Sequence, residues 1–428
     1  MRLICCVLTL LFLSQTLWAD IYADMVVAKD GSGDYISISE AVEDLPYYNY
    51  QRIVVLVKNG VYNEKIRLEC DYITIRGESR DSTIIQYAQL REDWQQKKDH
   101  IGPAVINIHA DDIILDNLTI RNTQPKIGPH AFAILGKGTR TIIVNCNVTS
   151  NGGDTVSLWN HKTGMYYHHN CYFEGAVDFV CPRGWCYISN SIFNELKNTA
   201  AIWHAAPGNQ KQKMVLKACR FLGLDSFYLA RHHYDAQFYF IGCEFSSFLR
   251  DKNIERVRYP NRPEKNRPYL YGDRYYFYHC KREGGNYSWF ADNLNVASLG
   301  PDTIDPEWTF DGQWNPIDTA NLYLDKVEYE GDCMYLWFDE IVMPVGDLKV
   351  VSAFGKLYSY ASGAGSERLK LMRDSEEVLG DMQGKVYVCS GNVQSVKATV
   401  KAKYLFSSDD TGVLQVTIER DNELTDRR

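Results

Sequence analysis

The sequence predicts an all-β protein, a right-handed parallel β-helix followed by a small β-sandwich. Three observations carry that prediction. Short runs of Ile, Val, Phe and Tyr, separated by Gly, Asn and Asp, fill the chain from Val26 to about Trp289. One pattern recurs along those runs at irregular steps of about 25 residues. Around "DPEWTFDGQWNP" (Asp305–Pro316) it gives way to longer alternating strands.

The chain opens on "MRLICCVLTLLFLSQTLWAD", with Arg2, an apolar run to Leu13 and a small residue at Ala19. Residues 1–19 read as a signal peptide, and the run is too short for a good membrane span. A secreted or periplasmic protein is expected, without a later membrane span.

The recurring pattern defines residues 20–316 as one domain. A run of β-formers leads to Asn or another small residue, then Cys or Leu, a polar residue and an apolar one. Examples are "ILDNLTI" ending at Ile120, "IIVNCNV" at Val148, "YHHNCYF" at Phe173, "YISNSIF" at Phe193, "VLKACRF" at Phe221, "YFIGCEF" at Phe245 and "YFYHCKR" at Arg282. With Leu118, Cys146, Cys171, Ser191, Cys219, Cys243 and Cys280 equivalent, the steps are 28, 25, 20, 28, 24 and 37. A repeat that short with little helical periodicity fits a coil whose turns stack about 4.8 Å apart. The cysteines then form an internal column of small, half-apolar side chains. Disulfides between neighbouring turns are also compatible with that spacing. The ten cysteines beyond the signal show no CxxC pair and no Cys/His metal pattern, so no metal or other cofactor is expected.

From Ala320 come "LYLDKVEYEG", "CMYLWFDEIVM", "LKVVSAFG" and "VLQVTIERD", with turn signals between them. Residues 317–428 read as an accessory β-sandwich with no chemistry of its own. The net charge of −8 and pI near 5.7 exclude nucleic acid as a partner. A polyanion could bind only through a locally basic cleft. A monomer is expected.

Candidate chemistry follows from the period. Asp154 and Asp178 are 24 residues apart, one turn of such a coil, and Arg231 lies 53 residues beyond Asp178, about two turns. Two close carboxylates do not ionise independently. One keeps a proton and can act as an acid, while a guanidinium holds the other ionised. Such a set can hydrolyse an ester without a serine. The same two aspartates also suit strand-end turns.

Five segments resemble the pectin methylesterase family, in the family's order and over about residues 25–290. "EGAVDFV" around Asp178 resembles the Gly-x-Val-Asp-Phe stretch that carries the nucleophile. "GDTVSL" resembles the Gln-Asp-Thr-Leu motif of the acid/base, and "LARHH" the Leu-Gly-Arg-Pro-Trp motif. "VVAKDGSGDYISISEAVEDLP" (Val26–Pro46) and "VLVKNGVYNEKI" (Val55–Ile66) also match. The resemblance implies Asp178 as nucleophile, Asp154 as general acid/base and Arg231 as the group orienting Asp178. The C-terminal part resembles the immunoglobulin-like modules of secreted bacterial polysaccharide enzymes.

The chain departs from the family's pattern around the catalytic set. "PHAFAIL" puts His130 where the family has Gln, and Gly153 replaces the Gln before the acid/base. Those glutamines stabilise the oxyanion. His232 and His233 stand where the arginine motif ends in Pro-Trp. Trp159, Trp203 and His204 are candidates for a rebuilt sugar-contacting wall, and the histidines for a pH-dependent positive charge toward an anionic substrate. The expected substrate is a methyl-esterified uronate in an unusual setting, such as a branched pectin. Two other readings compete: an inactive pectic-polysaccharide-binding protein, and another β-helix activity such as polygalacturonase or lyase.

Overall fold

The computed structural model describes residues 23–49, 52–224, 226–316, 324–352, 354–363, 366–378, 386–395, 407–408 and 414–416. The expected signal peptide and the expected boundary at residue 317 lie outside the described residues. Among the described residues, 23–316 and 324–393 belong to separate compact units.

The first unit is a parallel β-helix. Three parallel sheets of 10, 8 and 9 strands run side by side, and each strand pairs with its equivalent one coil away. The predicted repeat is the register of this stack. Ile120, Val148, Phe173, Phe193, Phe221 and Phe245 are successive partners in one inward column, and all are buried. Phe193 stacks on Phe221 with ring centroids 4.5 Å apart. The column ends at Arg282, paired with Phe245, whose guanidinium lies 4.4 Å from the Tyr287 ring centroid.

The Asn before four of the seven ladder positions has a backbone reason. Asn117, Asn145, Asn170 and Asn190 have φ between 47° and 58°, the left-handed region that Asn tolerates better than most residues. Each turns the chain from one sheet into the next. Their amides also bridge coils, as Asn170 Nδ2 donates to Asn145 Oδ1 at 2.8 Å. The ladder cysteines Cys146, Cys171, Cys219, Cys243 and Cys280 are buried free thiols. Each points its Sγ at a carbonyl of the preceding coil, for example Cys171 to Ile143 O at 3.3 Å and Cys243 to Leu216 O at 3.3 Å. The described cysteines form no disulfide.

Side chains close the core at both ends of the coil. At the start, helix Ile38–Glu43 is N-capped by Ser37 and buries Ile38 and Ala41 in the common core. At the far end Phe290 packs on Phe245 and Phe277, at 5.4 and 6.2 Å between centroids.

In the second unit, Leu324–Glu330, Cys333–Val351, Lys356–Ser362 and Ser366–Val378 pair antiparallel in one sheet. Met334, Leu336, Leu369 and Leu371 are among its buried side chains.

Phe193→Ala removes the middle ring of the aromatic column and should cost about 3–5 kcal/mol of unfolding free energy. Denaturant unfolding followed by tryptophan fluorescence measures it. An unchanged midpoint would show that the column is not the support described.

Candidate active site

The eight-stranded sheet carries the site. Val156 pairs with Val180, so Asp154 and Asp178, each two residues earlier, face each other one coil apart. Their turns are interlocked. Asp154 N donates to Val177 O at 3.1 Å, and Asp178 N to Ala200 O at 2.7 Å. Asp154, Val177 and Asp178 have φ of 59°, 57° and 54°. A β-branched valine in that region is strained, and the cost is of order 1–3 kcal/mol. The surrounding fold holds the strain, which turns the Asp178 carboxylate out of the strand.

Arg231 lies two coils on, paired with Trp203 in the next strand. Its Nε donates to Asp178 Oδ1 at 2.8 Å and its Nη2 to Oδ2 at 2.8 Å. This planar two-armed contact fixes the carboxylate's orientation. The three predicted catalytic residues are therefore brought together.

Electrostatics give the two carboxylates different roles. Burial pushes Asp154 up to about 6, against the pull of Arg183, Arg91 and Arg231. Burial also pushes Asp178 up to about 6, opposed first by its hydrogen bonds to Arg231. Only Asp178 is bound directly by a guanidinium, so it is the member that stays ionised, and Asp154 keeps the shared proton.

Among the candidates for substrate contact, His130 is at the mouth. Its Nε2 lies 3.5 Å from Asp154 Oδ2 and its side chain is 51% exposed. Burial and the neighbouring Arg91 lower its pKa, so it is a neutral ring at pH 7. Gly153 pairs with His130 across the sheet, but its N–H already donates to Pro129 O at 3.0 Å. It is not a free oxyanion donor. A Cβ there would sit 3.1–3.2 Å from the carbonyls of Val177, Ala176 and Gly128, so a side chain enters only if the turn gives way.

His204 and His232 are placed in the interior, both fully buried. His204 Nε2 donates to Gly184 O at 2.8 Å. His232 is held between Tyr234 O and the Tyr275 hydroxyl. Neither lines a groove. Trp203 is buried, and its indole N–H donates to His233 Nδ1 at 2.7 Å. Because indole can only donate, His233 carries its proton on Nε2 and donates it to the Tyr259 oxygen at 2.9 Å. Burial lowers His204 and His233 to about 4 and lowers His232 as well. The expected pH-dependent positive charge from these histidines is corrected: all are neutral where the protein would work.

Positive charge comes instead from arginines that the motif comparison passed over. Arg183 lies between two indoles, with its guanidinium 4.8 Å from the Trp159 centroid and 5.4 Å from that of Trp203. Arg91 approaches Trp159 too, at 5.8 Å. The available signal was register: Arg183 directly follows the strand Val180–Pro182 that succeeds Asp178. Glu195 was also missed. It is fully buried, and its Oε1 accepts from the N–H groups of Val177 and Lys197, at 3.3 and 2.9 Å. Burial pushes it up to about 9, so at neutral pH it is an uncharged acid clamping the strained turn. The described residues contain no cluster of metal-ligating side chains.

The pectinesterase family profile matches residues 24–238, just over half of the chain. The Arabidopsis thaliana protein called probable pectinesterase 67 is 25% identical over 224 residues. That match takes in 48% of this chain and 61% of the relative, so the chain spans under two thirds of that relative's length. Among solved structures, the pectin methylesterase from carrot aligns with a TM-score of 0.55 at 20% identity, over 68% of this chain and 94% of that one. A pectin methylesterase in complex with a hexasaccharide aligns with a TM-score of 0.54 at 21% identity, over 69% and 98%. At such identities the structural likeness speaks for the fold.

The clamp makes a pH prediction. The folded pKa of Glu195 is raised, so its contribution to stability is complete below its unfolded pKa and is lost as pH rises toward about 9. Asp154, Asp178 and the histidines have largely titrated by about pH 7, while the buried cysteines, whose thiols burial also raises, add a slope of the same sign that grows above about pH 7.5. The Glu195 contribution is therefore the difference in slope between parent and variant from about pH 7 to 8.5. Thermal unfolding midpoints should fall across that window in the parent and fall less steeply in Glu195→Gln, which keeps the acceptor and cannot ionise. Equal slopes in both would remove Glu195 from this role.

Proposed function

The chain belongs to the pectinesterase family, and from that premise we propose that it hydrolyses methyl esters of uronate residues in pectin, releasing methanol. The observation that carries this reading is the Asp178 carboxylate gripped by Arg231 beside a proton-holding Asp154 one coil away. Asp178 attacks the ester carbonyl carbon, and the carbonyl electron pair moves onto oxygen. As that oxyanion collapses, Asp154 gives its proton to the departing methoxy group. Methanol leaves, and an anhydride joins Asp178 to the uronate. Asp154, now ionised, takes a proton from water, and the hydroxide adds to the uronyl carbon. Collapse expels the Asp178 carboxylate and frees the uronic acid, which loses its proton to solvent.

His130 supplies a ring N–H beside the pair for the developing oxyanion, a role that Gly153, with its N–H engaged, does not fill. The rebuilt surroundings support an unusual substrate such as a branched pectin. The leader sequence supports secretion. We read the antiparallel C-terminal unit as an immunoglobulin-like accessory module.

Methanol release from methyl-esterified homogalacturonan and from a rhamnogalacturonan-rich pectin tests the reaction. Asp178→Asn should abolish release, and Asp154→Asn should lower it about 10²–10⁴-fold. The parent's kcat/KM should fall on the acid side as Asp178 gains a proton and on the alkaline side as Asp154 loses one, with its maximum around pH 6. A parent that binds pectin but releases no methanol from either polymer would make it an inactive binding protein.

For the oxyanion, His130→Ala should lower kcat about 10²–10³-fold while His130→Gln retains most of it. Equal kcat in parent and alanine variant would place the oxyanion elsewhere.

A further inference from the structure

The acidic chain has one strongly basic stretch, and the fold sets it against the catalytic arginine. Residues 256–267, "RVRYPNRPEKNR", contain Arg256, Arg258, Arg262, Lys265 and Arg267 with Glu264 as the single acid. The strand Glu255–Arg256 pairs directly with the strand of Arg231, Arg231 opposite Glu255 and His232 opposite Arg256. The loop therefore leaves the sheet beside the guanidinium that holds the nucleophile.

A run of exposed cations is ordinarily a solvated surface. Three features separate this one from that reading. It is fastened down. Tyr259 accepts the His233 Nε2 proton at 2.9 Å, its ring stacked on the imidazole, and Asn266 ties back to the Tyr259 N–H at 2.8 Å. Asp235 Oδ1 accepts the Leu270 N–H at 2.8 Å where the loop returns. It continues the site, since Tyr259 connects through His233 to Trp203, and Trp203 flanks Arg183. Its charge is also uncompensated. Arg258, Arg262, Lys265 and Arg267 are exposed, and none forms an ion pair with a carboxylate among the described residues. Arg262 and Lys265 sit 5.7 and 5.9 Å from the Tyr259 centroid, and Arg267 5.8 Å from that of Tyr234. The loop thus presents exposed guanidinium and ammonium donors steadied by tyrosine rings, the equipment for a saccharide bearing free carboxylates.

We propose that the loop 256–267 is an anionic-saccharide subsite that binds the unesterified carboxylates of a polyuronate chain extending from the catalytic pair. The subsite rests on the esterase reading for its place in a reaction, and its ligand is the chemical product of that reaction. A polymer already carrying free carboxylates is held better than a fully esterified one, and the de-esterified product competes for the site. The attraction is between exposed charges and weakens as salt shortens the screening length to about 8 Å at physiological strength.

The test is calorimetric titration of the full chain with hexagalacturonate, which has no ester and requires no turnover. The parent should bind, more weakly as salt rises. The triple variant Arg262→Ala/Lys265→Ala/Arg267→Ala should lose about tenfold in affinity. Arg262→Lys/Arg267→Lys, which keeps the charge and loses the fork, should bind between the two, which a misfolded loop would not allow. Arg220→Ala, on a different sheet, controls for the loss of a surface cation elsewhere and should bind like the parent. Absence of parental binding at low salt, equal affinity in the triple variant, or an equal loss in Arg220→Ala would overturn the subsite. Binding that is lost in the triple variant of a protein that releases no methanol would uphold the subsite and overturn the esterase reading.

Discussion

The parallel pairing of Val156 with Val180 decides how far apart two carboxylates stand, because each aspartate sits two residues before its valine. A slip of one residue in that register would send every side chain of one strand to the opposite face. The buried column of the same sheet, Ile134, Val156, Val180, Ile202 and Ala230, opposes it, since a slip would carry these apolar side chains out of the core. Catalytic spacing is thus a by-product of core packing. The left-handed backbone at Val177 and Asp178 adds what register alone lacks, a turn that points a carboxylate outward. Glu195 secures that turn from inside as a neutral acceptor, where a charged clamp would repel the nucleophile.

The same burial that raises both carboxylates would leave them both protonated and inert without Arg231. A bidentate guanidinium favours one ionised partner and leaves the second as acid. Arg183 and Arg91 moderate Asp154 from greater distance. Indole faces hold Arg183 in place of a carboxylate. Its charge therefore stays available to the groove, which an ion pair would have cancelled.

Much of this was legible in the sequence because a coil repeats. The repeated steps marked a left-handed residue in each turn, Asn in four of the seven, and an inward thiol in five, and they placed the final residue of each segment in one column. Asp154, Asp178 and Arg231 were legible as multiples of that period and through the motifs around them. His204 and His232 were not, since a histidine in a short strand reads alike whether it faces groove or core. Burial with carbonyl and hydroxyl partners is a tertiary fact. Arg183 and Glu195 were hidden for the opposite reason. They act on groups one coil away, and no local pattern marks a residue for what its neighbouring coil contains.

Net charge misdirects for a related reason. A total of −8 describes the whole surface, whereas an incoming polyanion feels charges within about one screening length, some 8 Å in physiological salt. Within the site those charges are Arg91, Arg183 and Arg231, with two carboxylates that share a proton. Along the adjoining loop five cations meet one acid over twelve residues. Local field lines from such a stretch concentrate above a low-dielectric sheet and can guide an anionic chain to a protein that is acidic overall. The neutral histidines fit the same logic. A groove that depended on their protonation would lose its charge at neutral pH, whereas arginines keep theirs throughout. The positive potential of the groove is therefore set by residues that do not titrate, which leaves the carboxylate pair free to govern the pH dependence of the chemistry.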